Sequence, residues 1–243
     1  GSGSGIYGQR YSTSGSPIGT EFQVNTYTED NQHSPSVTGL SNGGFVVTWA
    51  SNYQEGGMAE VYGQSYDAFG YPVGDEFQIN TETAGQQTNP AVTGLNEGSF
   101  IVTWQSYGHD GDENGIYGQR YGSNGNQLGD EFKINTFTHY QQWNSSVSNL
   151  SDGGFVVTWE SGNQDADAGG IYGQRYDNSG SKVGDEFQIN TYELSNQKIP
   201  SVTGLKNGGF VVTWDSYYQD GYNYGIFGQR FDESGSPSGD EFQ

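Results

Sequence analysis

A strict 55-residue period runs through the whole chain. Trp49, Trp104, Trp159 and Trp214 recur at that step, and so do Gly8, Gly63, Gly118, Gly173 and Gly228. No copy carries an insertion. One supersecondary unit used repeatedly restricts the fold to a solenoid, a propeller or a row of small domains.

Each unit reads as four strands. A short first strand, "PSVTGL" (35–40), is followed by "SNGG", "NEGS", "SDGG" or "KNGG", whose Asn-Gly and Asp-Gly steps signal hairpins. "FVVTW" (45–49) is rich in β-branched and aromatic residues. After a glycine-rich acidic loop comes "IYGQRY", then a turn such as "DNSG" (177–180), then "EFQIN" (186–190). No stretch has a 3.6-residue apolar period, so helix is expected to be negligible. Four antiparallel strands with one polar return loop form the pattern of a propeller blade, and "SVTG" has the small side chains suited to a crowded axis. The expected fold is therefore all-β, a β-propeller-like array of four-stranded antiparallel blades. The alternatives are a β-solenoid, whose coils are usually shorter, and tandem small β-domains, marginal at 55 residues without staples.

The strand count is uneven. Five copies of the last two strands accompany four of the first two, which leaves residues 1–34 as an orphan outer pair with its return loop. Repeats then span 35–89, 90–144, 145–199 and a truncated 200–243. The chain reads as a window from something longer, with the missing inner pair supplied by a parent chain or a neighbouring molecule. "GSGSG" (1–5) reads equally as linker or native loop.

Composition narrows the function classes. With 29 acidic residues against 8 basic ones, the formal charge is −21. Such a surface repels nucleic acid and anionic membranes. No apolar run approaches the ~20 residues of a spanning helix. Cysteine is absent, which removes disulfides and thiolate metal sites.

The segments "GGFVVTW", "GIYGQRYD" and "VGDEFQINT", with a "QDG"-type loop, resemble repeats of very large secreted bacterial proteins, the calcium-binding haemolysin-type and cadherin-like adhesins. The resemblance covers essentially the whole chain. It implies an extracellular or cell-surface location and a structural or adhesive role, and it brings no catalytic residues.

The repeat itself nominates residues. All four arginines lie in the "GQRY" strand, and folding that hairpin about its turn sets Arg10 opposite Glu21, Arg120 opposite Glu131, Arg175 opposite Glu186 and Arg230 opposite Glu241. Cross-strand ion pairs are expected there. The Trp residues are expected in the core, and the glycine of "YGQ" is expected to admit a neighbouring ring. Gln32, Gln87, Gln142 and Gln197 are expected to bond backbone at a loop crossing.

In the acidic loops, Asp110 with Asp112 and Asp165 with Asp167 show the D-x-D spacing that presents hard oxygen donors to calcium, although the full EF-hand signature is not met. Calcium is the expected cofactor. The same loops carry Tyr53, Tyr107, His109, Tyr217 and Tyr218, a set suited to stacking and hydrogen bonding with a sugar ring. Catalytic motifs are missing: there is no G-x-S-x-G, H-E-x-x-H or phosphate-cradling loop. A catalytic centre should break the repeat at one place. The largest departure is "THYQQWNSS" (138–146), where Trp143 is unique, and it is a candidate contact patch.

The expectation is a non-catalytic structural or adhesive module that associates with neighbouring repeats or itself. A multivalent glycan-binding lectin is the alternative, and a propeller hydrolase the third reading.

Overall fold

The computed structural model describes residues 3–54, 56–109, 111–165 and 168–243. Among them the only helical element is a single 3₁₀ turn, Asn96–Gly98. The remaining elements are seventeen strands in five antiparallel sheets. Strands β1 (Tyr7–Tyr11) and β2 (Pro17–Gln23) form a two-stranded sheet. Three four-stranded sheets follow. The first holds β3 (Gln32–Gly39), β4 (Phe45–Asn52), β5 (Ala59–Tyr66) and β6 (Pro72–Gln78). The second holds β7 (Gln87–Gly94), β8 (Phe100–Tyr107), β9 (Asn114–Tyr121) and β10 (Gln127–Lys133). The third holds β11 (Gln142–Asn149), β12 (Phe155–Gly162), β13 (Gly169–Tyr176) and β14 (Lys182–Gln188). The last has β15 (Gln197–Gly204), β16 (Phe210–Tyr217) and β17 (Tyr224–Phe231), with bridges from Gly228 to Phe242 and Phe231 to Pro237 in place of a full fourth strand.

The sheets are propeller-like blades. Their first strands lie side by side, β3 against β7, β7 against β11 and β11 against β15. Small side chains make this possible. A Cβ on Gly94 would stand 2.5 Å from the Gly39 carbonyl oxygen, and one on Gly204 would stand 2.0 Å from that of Asn149. Serine and threonine hydroxyls fill the gap: Ser36 and Thr38 accept the Val92 and Gly94 amides at 3.3 and 3.1 Å, and Ser146 and Ser148 do the same for Val202 and Gly204.

The core lies between blades. Leu40, Val46, Val61 and Ile79 of one blade pack on Val92, Phe100, Val102 and Trp104 of the next, and the pattern recurs at the later boundaries. All four "FVVTW" tryptophans are fully buried. Phe45 stacks on Tyr66 at 4.6 Å and Phe155 on Tyr176 at 4.7 Å, each pair facing across adjacent strands. The "YGQ" glycine leaves room for a ring on the fourth strand: a Cβ on Gly8 would lie 2.8 Å from Phe22.

The arginines and glutamates do not meet across the hairpin. The register places Arg10 opposite Ile18 and Arg175 opposite Val183, because the fourth strand bulges around Gly19 and Gly184, both with positive φ. Three of the four arginine side chains instead reach another blade. Arg10 donates to the carbonyls of Phe69 and Ala68, Arg120 to those of Ser179 and Asn178, and Arg175 to those of Ser234 and Glu233. The glutamates reach back. Thr81, Thr136 and Thr191 donate through amide and hydroxyl to Glu131, Glu186 and Glu241, and Thr26 does so to Glu76. These are clamps between successive blades. Glu21 in the first copy and Arg230 in the last are both exposed.

Candidate functional site: a collar around the inner strands

Every inner strand breaks register near its start, between His33 and Ser36, Thr88 and Ala91, Trp143 and Ser146, and Lys198 and Ser201. Ser34, Asn89, Asn144 and Ile199 occupy the break in the left-handed region, with φ of 51 to 55°. Such a bulge turns one residue away from the ladder. These four residues gather at the end of the blades from which the return loops and the loops after β4, β8, β12 and β16 emerge.

Facing them are Ala50, Gln105, Glu160 and Asp215, each following a buried tryptophan and each different. Gln105 Oε1 accepts from Asn89 Nδ2 at 2.9 Å and from the Asn144 amide of the following blade at 3.0 Å. Glu160 Oε2 repeats this one blade on, with Asn144 Nδ2 at 3.0 Å and the Ile199 amide at 3.4 Å. Ser34 Oγ donates to Asn89 Oδ1 at 3.2 Å. A hydrogen-bonded collar thus links four blades.

Glu160 stands apart. Its side chain is 5% exposed, and burial raises its carboxyl above the usual range, an effect partly offset by Asn144, the Ile199 amide, Lys198 and Trp143. Trp143 lies directly opposite Glu160 in the β11–β12 register. Lys198 pairs in the same way with Asp215, and its ammonium lies 3.9 Å from the centre of the Tyr224 ring. The Lys198 pKa is raised by the Tyr224 hydroxyl and by the nearby carboxylates Asp215 and Glu160. A buried carboxyl whose pKa is raised, a second carboxylate one blade away, a cation and an indole therefore share one quadrant. This constellation can donate a proton and stabilise developing positive charge.

Of the residues nominated by the loops, Tyr217 packs at this end against Tyr218 and Tyr224, at 4.5 and 4.8 Å. Tyr53, Tyr107 and Tyr218 are exposed at the same end in three different blades. His109 is a structural substitute. It occupies the repeat position of Gln54, Gln164 and Gln219, which donate to Glu76, Glu186 and Glu241. Its ring lies 3.7 Å from Glu131 and 4.0 Å from Glu82, stacked on Tyr117 at 4.2 Å. Gln32, Gln87, Gln142 and Gln197 donate to the carbonyls of Glu29, Ala84, His139 and Leu194 within their return loops.

The two candidate calcium pairs are each described at one member only, Asp112 and Asp165. Asp110 and Asp167 lie outside the described residues. Asp112 accepts the Tyr140 amide at 3.2 Å and lies 3.8 Å from His139, whereas Asp165, a blade away, accepts from Gln188 at 3.4 Å. Among the described residues no three His, Cys, Asp or Glu side chains are grouped to hold a metal. A cavity of about 560 Å³ lies elsewhere, between the first two sheets. Its glutamate, Glu76, is already engaged by Thr26 and Gln54.

No protein-family profile matches the chain, and no curated protein does. Solved structures match its fold. An α-L-arabinofuranosidase from Fusarium graminearum, in complex with an iminosugar inhibitor, is 11% identical with a TM-score of 0.63, over 86% of this chain and 65% of that one. An α-L-arabinanase from Penicillium chrysogenum, complexed with arabinobiose, is 15% identical with a TM-score of 0.61, over 86% and 66%. An α-L-arabinofuranosidase from Lactobacillus brevis is 14% identical with a TM-score of 0.51, over 86% and 73%. The chain spans about two thirds of the length of the first two.

These likenesses correct the resemblance drawn from the repeat. The three solved structures named above are glycoside hydrolases, not calcium-binding adhesin repeats, and they overturn the adhesive reading that rested on that resemblance; what they share with this chain is the fold. Sequence reasoning missed the collar because it weighed residues that recur. The usable signal was the reverse: Ala, Gln, Glu and Asp in turn at the position after an unvarying tryptophan.

Proposed function

We propose that the protein is a glycan-directed propeller hydrolase whose reacting centre is the collar quadrant around Glu160. The observation that carries this reading is the buried Glu160 carboxyl, its pKa raised by burial, where the repeat is broken opposite Trp143 and near Lys198, which pairs with Asp215 of the next blade. Glycoside hydrolysis uses two carboxyl groups, one protonated to donate to the leaving oxygen and one ionised to activate water or attack the sugar. Glu160 takes the acid role. Asp215, beside Lys198, takes the other. Trp143 and Tyr217 offer faces on which a sugar ring stacks. The fold's likeness to arabinan-active hydrolases supports the substrate class and suggests the first assay.

The test is hydrolysis of aryl α-L-arabinofuranosides, arabino-oligosaccharides and a wider glycoside panel by the purified chain and by Glu160→Gln. Turnover that falls at least ~10²-fold in the variant, with its unfolding midpoint unchanged, supports the reading. Turnover equal in both would remove Glu160 from the chemistry. A chain that binds oligosaccharides without cleaving them would be the multivalent lectin, a reading favoured by the exposed Tyr53, Tyr107 and Tyr218 in three of the four blades.

A further inference from the structure

The end of each fourth strand meets the following blade at a point that the molecule fills in different ways. At the second boundary Gln127 opens β10, and the Tyr121 hydroxyl donates to the Ile79 carbonyl at 3.1 Å. At the third, Lys182 opens β14, and its ammonium donates to the Ile134 carbonyl at 3.1 Å. At the first, Pro72 opens β6 and brings no donor. A cavity of about 560 Å³ lies there, with Val24, Tyr66, Pro72 and Glu76 in its wall. Its lining comes from third and fourth strands and the segment after β2, whose counterparts also meet at the later boundaries.

The cavity keeps the surroundings of the Lys182 ammonium without the ammonium. Val24, Tyr66 and Glu76 stand two repeats before Ile134, Tyr176 and Glu186. Glu76 and Glu186 are held alike, by a threonine amide and hydroxyl at one oxygen and a glutamine at the other. Those bonds leave each carboxylate its negative charge. Burial lowers the Lys182 pKa, Glu186 opposes that shift and Lys133 adds to it. The counterpart of Lys133 at the first boundary is Gln23, exposed and neutral, so the repulsion felt by Lys182 is absent there. Tyr66 keeps its proton at neutral pH, since burial and then Glu76 push its pKa up to about 12.

We propose that this cavity is a binding site for a protonated primary alkylamine, whose ammonium takes the place that Lys182 fills two repeats on. The ammonium brings three donors, for which the Val24 carbonyl and the Tyr66 hydroxyl are acceptors, and Glu76 supplies the opposite charge. Phe22 and Pro72 offer apolar surface to the methylenes, as protein does to the stem of a lysine. A divalent metal ion fits less well, because both Glu76 oxygens already accept hydrogen bonds.

The test titrates the full chain, by isothermal calorimetry, with N-acetyl-lysine amide as a protein side chain and with diaminopentane as a free amine. Saturable binding is expected, and the tighter of the two names the source of the amine. Tetramethylammonium carries a charge but no donor. It should bind at least ~10-fold more weakly, which separates the site from the general attraction of a chain with charge −21. Pro72→Lys supplies a tethered ammonium and should abolish binding. Gln23→Lys restores the repulsion of Lys133 at an exposed position and should weaken binding at least ~10-fold. Absence of saturation at about 10 mM of either amine overturns the proposal. Tetramethylammonium bound as tightly, or binding unchanged in Pro72→Lys, does the same. Should Pro72→Lys not fold, Gln23→Lys decides alone.

Discussion

Two neighbouring positions in the strand "FVVTW" have opposite histories within one molecule. Trp49, Trp104, Trp159 and Trp214 are alike and fully buried, facing the preceding blade. The next residue, on the other face, is Ala50, Gln105, Glu160 or Asp215. The first position holds blades together, and each blade needs the same shape there. The second faces the collar, where a repeat of identical groups would give a ring without a distinct reacting centre. Where the repeat holds, the residues report on packing, and the varied collar positions are the ones on which the proposed chemistry rests.

The sharpest break of that comparison uses adjacent residues. Trp159→Ala should cost about 3–5 kcal/mol, because it leaves a large void between two blades. Glu160→Gln should leave the unfolding midpoint nearly unchanged, since Gln105 already accepts the same pair of hydrogen bonds one blade earlier. Chemical denaturation of both variants decides the matter. A stability loss of similar size in Glu160→Gln would make Glu160 a packing residue.

A buried carboxyl away from the collar provides a control. Glu60 occupies a position that is glycine in the other copies, is 1% exposed, and has its pKa pushed up to about 7 by burial, with Asn80 opposing the rise and Glu82 and Glu131 adding to it. It has drawn the Asn80 side chain to itself, whereas Asn25, Asn135 and Asn190 bond to Gln32, Gln142 and Gln197. Between pH 4.5 and 7 the folded chain binds more proton at Glu60 than the unfolded chain does. Stability therefore falls as pH rises through that window and levels off above it. Glu60→Gln should flatten this dependence and raise stability above pH 7 by up to about 3 kcal/mol. Parallel denaturation series at pH 5 and pH 8 check it, and an unchanged slope would show that Glu60 ionises freely in the folded protein.

Much of the architecture was legible in the sequence. The period, the Asn-Gly and Asp-Gly hairpins, the aromatic strands and the small inner residues all report on local geometry and close packing, which a single unit already expresses. The partners of the arginines were not legible. Folding a hairpin on paper assumes an unbroken ladder, but the bulge at Gly19 and its equivalents swings Glu76, Glu131, Glu186 and Glu241 toward the previous blade. The collar was hidden for a similar reason. It depends on the left-handed turn at Ser34, Asn89, Asn144 and Ile199, four different residue types, and on contacts some 40 or 50 residues away in sequence. Trp143 was visible as an oddity, but its place opposite Glu160 was not.

Clamp removal has a smaller expected effect. Arg120→Ala loses two charge-assisted hydrogen bonds to the Asn178 and Ser179 carbonyls at a partly exposed site, which should cost about 1–2 kcal/mol. Arg230→Ala, exposed in the last copy, should cost almost nothing. Equal losses in the two variants would show that the arginines act within their own strand and not across the blade boundary.

The smallest effect runs in the opposite direction, and it asks whether a packing position tolerates an exception. Ser65 is the one copy without arginine, and the turn that an arginine would reach, at Ser123 and Asn124, keeps the same backbone hydrogen bonds as the clamped turns. The space is open. A Cβ on Gly125 would meet nothing within 4 Å, while those on Gly70, Gly180 and Gly235 would strike the arginine side chain. A cavity of about 150 Å³ between Ser65 and Ser123 marks the vacancy. Ser65→Arg should therefore stabilise the chain by up to about 1 kcal/mol, the net value of new hydrogen bonds less the entropy of fixing a long side chain. A raised denaturation midpoint with unchanged slope would confirm a completed clamp. A lowered midpoint would mean that Ser65, like Glu160, stands where the repeat is broken for a reason other than packing.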